Sequence, residues 1–141
     1  MRITIEGASA AFEEKLLSLL AEHRHELTVT QDTNWNPDRA ELFLRGTTLT
    51  ARTFVRMVVD GDGWADADAL RTELGSLRGP TIALARALQR GVRQENWPAS
   101  TPAPVTPVYD PDNPSWQRAI GYRMDSTVAP VFRAAFEKID R

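Results

Sequence analysis

The side chains best equipped to bind something are four arginines, Arg78, Arg86, Arg90 and Arg93. A guanidinium stays charged at any physiological pH, and its planar fork donates two parallel hydrogen bonds. That geometry suits a phosphate or the major-groove edge of guanine. Residues 76–98 hold four arginines against one glutamate, whereas the chain as a whole carries a net charge of −2. The cationic block is therefore local, and the overall balance argues against a strongly basic nucleic-acid binder.

Other chemistry is thinly represented. With no cysteine, the chain has no disulfide, thiol nucleophile or cysteine zinc site. The segment Glu22-His23-Arg24-His25-Glu26 pairs two imidazoles with two carboxylates, which on a strand would share one face. It straddles the end of a helix, however, where histidine is an ordinary partner of the dipole, and no third ligand is evident. The stretch "DGDGWADAD" invites a calcium reading. Counted from Asp60, an EF-hand loop would need a ligand where Trp64 stands, glycine at Ala65 and glutamate at Arg71. A turn before a capped helix accounts for it better. The serines lie in no G-x-S-x-G elbow, and the glycines match no phosphate loop or dinucleotide fingerprint. The reading assigns no catalytic residue, no metal and no cofactor, and expects no enzyme.

These arginines must be held by elements that the patterning outlines. Arg2–Glu6 alternates like a strand, residues 9–23 place Phe12, Leu16, Leu19 and Leu20 on one helical stripe, and His25–Thr30 reads as a second strand. The start is thus a β-α-β element. Asn36 and Pro37 begin a short helix ending at Gly46; Thr47 or Thr48 caps the next, with Leu49, Phe54, Met57 and Val58 apolar, until Gly61 and Gly63 stop it. Asp66 caps a helix that Gly75 ends, and Gly79-Pro80 opens a longer one running to about Val92. Six of the nine prolines lie between 98 and 114, which excludes regular helix and relegates any strand there to an edge. "PVTPVY" and "RAIGYRM" are two short strands flanking a loop. A C-terminal helix over 126–139 buries Val128, Val131, Phe132, Ala135 and Phe136.

From Leu49 onward the order is helix, turn, short helix, glycine-containing turn, longer helix and two strands joined by a loop. That order resembles a winged helix-turn-helix domain, and the chain is similar to small actinobacterial proteins that carry one. Together with the N-terminal β-α-β element over 1–33, the resemblance implies an α+β fold with a winged-helix domain over 34–141 that includes a closing C-terminal helix. It further implies that helix 80–93 enters the major groove of DNA and that the 110–118 loop forms the wing.

At about 100° per residue from Ile82, Leu84, Ala85, Leu88 and Val92 form the core stripe. Arg93, Arg86 and Arg90 then share the opposite face with Ala83 and Ala87. Arg78 adds a backbone contact and Arg118 sits at the wing tip. Trp64 and Trp116 are expected to pack within the domain, and Trp35 is left open between packing and partner anchoring.

The function this implies is a cytoplasmic DNA-binding regulator or accessory factor, with double-stranded DNA as partner and the N-terminal element as a homodimer contact. The alternative is a winged-helix adaptor that binds protein. No apolar run reaches the roughly 20 residues of a membrane span.

Overall fold

Three helices begin where a short polar side chain satisfies a free first-turn amide. Ser9 accepts from the Phe12 N–H (3.1 Å) at the start of α1, Ala10–Glu22. Asn36 accepts from Arg39 (2.9 Å) ahead of α2, Pro37–Arg45, and Thr48 from Ala51 (3.1 Å) ahead of α3, Leu49–Asp60. Three more helices follow: α4, Ala67–Leu74; α5, Arg78–Arg93; and α6, Ala129–Ile139. The computed structural model describes residues 3–27, 32–113 and 118–141.

The sheet has three antiparallel strands, β1 (Trp64–Asp66), β2 (Thr106–Tyr109) and β3 (Ala119–Arg123), in the order β1-β3-β2. Pro107 is accommodated because β2 is an edge strand. β1 was not expected: "DGDGW" reads as a turn alone. The turn is there, with Asp62 (φ 55°) and Gly63 (φ 97°) in the left-handed region. It delivers residues 64–66 alongside β3, and the Met124 N–H bonds the Gly63 carbonyl at 2.8 Å. A Cβ at Gly63 would lie 2.6 Å from the Met124 carbonyl oxygen. Asp66 precedes α4 without capping it; its carboxylate accepts from the Trp64 indole N–H (3.2 Å).

The core lies between α2, α3, α5 and α6, with the sheet on one side. Phe54 of α3 meets Tyr122 of β3 edge-on at 4.8 Å between ring centroids. On the other side Trp35, Phe43, Trp97 and Phe132 form an aromatic cluster with centroids 5.1–6.3 Å apart. Both indoles are satisfied: Trp35 donates to the Pro102 carbonyl (2.9 Å) and Trp97 to that of Leu88 (3.0 Å). These bonds hold the proline-rich stretch and the end of α5 onto the helices. Trp35, left open by the sequence, is a core residue. Helix α6 closes the core and is held at its end by a bidentate pair, Arg56 with Asp140 at 2.9 Å. The guanidinium keeps the Asp140 carboxyl below the usual carboxylate range.

Several expectations fail at the N-terminus. Ile3–Glu6 is not in a strand, and His25–Leu27 lies in a turn and coil; Arg2 and residues 28–30 are outside the described residues. The β-α-β element is therefore not formed among the described residues, where no β-strand partners those segments. The stripe of α1 is present but buries nothing, with Phe12 49% and Leu19 53% exposed. The Ala10 N–H bonds the Glu95 carboxylate at 2.9 Å, tying the start of α1 to the turn after α5. Trp64, expected in the core, is 37% exposed because it lies on β1 with its ring over Gly121. Trp116 falls outside the described residues.

Two glycines separate rigid from yielding contacts. A Cβ at Gly91 would sit 1.8 Å from Cζ2 of the buried Trp97, and one at Gly121 2.3 Å from Cζ2 of Trp64. Alanine is a better helix former than glycine, so Gly91→Ala would stabilise an isolated α5. In the folded protein it should instead cost about 1–3 kcal/mol by overpacking. Gly121→Ala should cost less, since Trp64 can swing toward solvent and the nearest backbone atom, the Ala65 carbonyl oxygen, is 3.0 Å from the added Cβ. Urea unfolding midpoints of the two variants check this ordering.

Candidate functional site

Helix α5 starts at Arg78, two residues before the expected opening at Pro80, and Pro80 falls within its first turn, where its missing amide costs nothing. Its buried residues are Pro80, Ala87 and Gly91, with Leu84, Leu88 and Val92 half-buried beside them. Ala85, expected in the core, is exposed, and Ile82 is 38% exposed. Ala87, expected beside the arginines, is 4% exposed. The buried stripe is thus rotated from the expected one toward the small residues. The cause is Trp97, whose ring fills the space over Gly91.

Trp97 reaches that position through the turn after α5. The Asn96 N–H bonds the Gly91 carbonyl (2.8 Å) and the Glu95 N–H that of Val92 (3.1 Å), the paired bonds of a Schellman ending. Glu95 occupies the left-handed position at φ 62°, where glycine is usual. The chain then doubles back and lays Trp97 on the helix it has just left.

This packing sorts the arginines. Arg78, Arg86 and Arg93 are exposed, and their guanidinium groups make no hydrogen bond or ion pair with any described residue. Arg90 is exposed as well, but its Nη1 donates to the Gly46 carbonyl at the C-terminus of α2. A cation there complements the helix dipole. Of the four arginines expected on one face, three are available to a ligand and one holds two helices together. Arg118 is exposed at the start of β3 and likewise unpaired among the described residues.

Two further residues belong to the open face. Ile82 and Gln89 stand between the arginines, and Arg78, Ile82, Ala85, Arg86, Gln89 and Arg93 are all exposed. Their spacing of three and four residues makes one stripe along the helix. The sequence placed Ala85 in the core stripe and Ala87 beside the arginines, because periodicity follows a helix's own larger apolar side chains. No residue from 78 to 93 is acidic. The hairpin loop, by contrast, is anionic: Asp110 accepts from the Asn113 side chain (2.8 Å) and the Asp112 N–H (2.9 Å). The Asn113 contact, then the Asp112 amide, keeps its carboxyl below the usual range.

The histidines lie at the exposed end of α1, with His23 3.9 Å from Glu26. Among the described residues no group of three or more His, Cys, Asp or Glu side chains is placed to hold a metal ion. Nor, among those residues, is any helix long and apolar enough to cross a membrane.

The chain is thus an α+β protein with a small three-stranded antiparallel sheet. No protein-family model matches it, and no match was found among curated proteins or among solved structures.

The division of labour among the arginines predicts two kinds of variant. Arg90→Ala should lower stability, by about 1 kcal/mol or less, through loss of the contact at the α2 terminus. Arg86→Ala should leave stability within about 0.5 kcal/mol of the parent, since its exposed guanidinium has no partner among the described residues. Thermal unfolding of the two single variants distinguishes them.

Proposed function

We propose that the protein binds double-stranded DNA through α5 and acts as a cytoplasmic transcriptional regulator or accessory factor built on a winged helix-turn-helix. The observation that carries this reading is the exposed face of α5, with three arginines free of partners among the described residues and no carboxylate on the helix. An unpaired guanidinium keeps its full capacity to bind phosphate or a base edge. The topology supports the reading too. A helix, a strand, two helices and a strand pair succeed one another from α3 to β3, with the first strand beside the last in the sheet. That is the succession in which a winged helix presents its third helix to the groove.

In this reading Arg78 and Arg93 meet phosphates and Arg86 a base edge. Arg90 is withdrawn to the α2 terminus. The acidic loop carrying Asp110 and Asp112 stands off the backbone, so Arg118 is the one loop-end cation among the described residues that can approach it. Three or four phosphate contacts give weak, salt-sensitive binding. Two copies on one duplex would double that number. We assign their contact to the N-terminal unit, because a 13-residue helix with no buried residue is marginal alone and leaves Phe12, Leu17 and Leu19 exposed. Sedimentation at rising concentration should show a dimer that Phe12→Ser/Leu19→Ser converts to monomer; a monomer throughout removes this assignment.

The rival reading, a winged-helix adaptor that binds protein, rests on Ile82 at the centre of the face and on the anionic loop. A salt titration on a random-sequence duplex separates the two. Each lost phosphate contact should flatten the slope of log K against log salt by about 0.9. The Arg78/Arg93→Ala variant should therefore show a slope shallower by about 2 units, whereas Arg90→Ala should keep the parent slope. Micromolar or weaker binding that the Arg78, Arg86 and Arg93 substitutions leave unchanged would favour the adaptor.

A further inference from the structure

The centre of the α5 face differs in chemistry from its ends. Arg78 and Arg93 are about 22 Å apart along the axis at 1.5 Å per residue, wider than the roughly 12 Å major groove. Cations at those ends therefore fall over the strands that border the groove. Ile82, Ala85, Arg86 and Gln89 lie between them and span about 10 Å, the rise of roughly three base-pair steps. These four side chains are exposed, and among the described residues none of them makes a hydrogen bond or ion pair that holds the fold.

Three of the four have a distinct complement in the major groove. A branched aliphatic side chain contacts the methyl group of thymine, a glutamine donates to N7 and accepts from N6 of adenine only through its amide fork, and an arginine fork matches O6 and N7 of guanine. Ala85 beside them is small enough to let the helix settle deeply. An Ile 38% exposed amid cations has no role in the core. A glutamine carries no charge with which to hold a phosphate, so its value at the middle of a cationic face lies in its amide.

We infer that Ile82, Arg86 and Gln89 are the specificity-determining residues of the α5 face, reading a subsite of about four base pairs. An A·T pair lies at each end, one met by Ile82 through the thymine methyl and one by Gln89 through adenine, with a G·C pair between them read by Arg86. This rests on the groove reading above and assigns its sequence preference.

Selection of duplexes from a randomised pool, followed by affinity measurements on the selected site and its single-pair variants, tests the assignment. The wild type should discriminate against a changed pair at either end by roughly 5- to 150-fold. Gln89→Ala should abolish discrimination at one A·T pair and keep it at the other, and Ile82→Ala should do the reverse. Both residues are exposed, and circular dichroism and the unfolding midpoint confirm that the variants fold as the parent does. Wild-type binding with no base preference, or with a preference that neither variant alters or that both alter at the same pair, overturns the assignment. The groove reading then still stands or falls on its salt slope. Failure of the wild type to bind any duplex at low salt overturns both.

Discussion

The contact on which most of the arrangement depends is the indole of Trp97 seated on Gly91. The ring occupies the volume that any Cβ at position 91 would need, and its N–H is tied to the Leu88 carbonyl one turn back. A large ring can lie against a helix only where the helix is bare, so the residues around it must be small. Ala87 and Gly91 meet that requirement and are buried. The same ring contacts Trp35 and Phe43, which couples the end of α5 to the segment before α2 and to α2 itself. Phe132 brings α6 into the cluster through Trp35 and Phe43. Interiors pack at crystal-like density, so a cluster of rings that joins three helices allows little rotation of any one of them.

The orientation of α5 decides which of its side chains face outward. With Ala87 and Gly91 inward, Ile82 and Gln89 come to the middle of the exposed face, and Arg90 comes to its edge. There the α2 terminus supplies a carbonyl, and the guanidinium takes it. A cation at the end of one helix thereby becomes a strut for another, while Arg78, Arg86 and Arg93 remain open. The glutamate after α5 contributes as well. Glu95 accepts the left-handed backbone that the reversal needs and offers its carboxylate to the start of α1. The N-terminal helix is thus attached where the candidate face ends.

The small sheet serves the same orientation from the other side. Tyr122 packs on Phe54, so β3 is anchored to α3, and the short strand β1 is held between α3 and α4 by its pairing with β3. β2 lies at the far edge, where its proline removes no needed donor. The loop between β2 and β3 carries carboxylates, unlike the acid-free helix α5.

The sequence by itself determined the helices from 37 onward and the strand pair at 106–123. Their boundaries are written in local chemistry: Asn36 and Thr48 as caps, Gly46, Gly61 and Gly75 as ends, and prolines that confine β2 to an edge. It also singled out the cationic block, because charge counting needs no geometry. Three readings required the tertiary structure. The short strand β1 exists only because β3 lies beside it, and three residues carry no periodicity of their own. The segments flanking α1 alternate like strands, yet a strand is stabilised by a neighbour rather than by its pattern, and Ile3–Glu6 and His25–Leu27 have none among the described residues. The buried face of α5 was decided by Trp97, a residue outside the helix. Periodicity ranks a helix's own side chains by hydrophobicity, and it cannot register that an incoming ring selects the smallest of them.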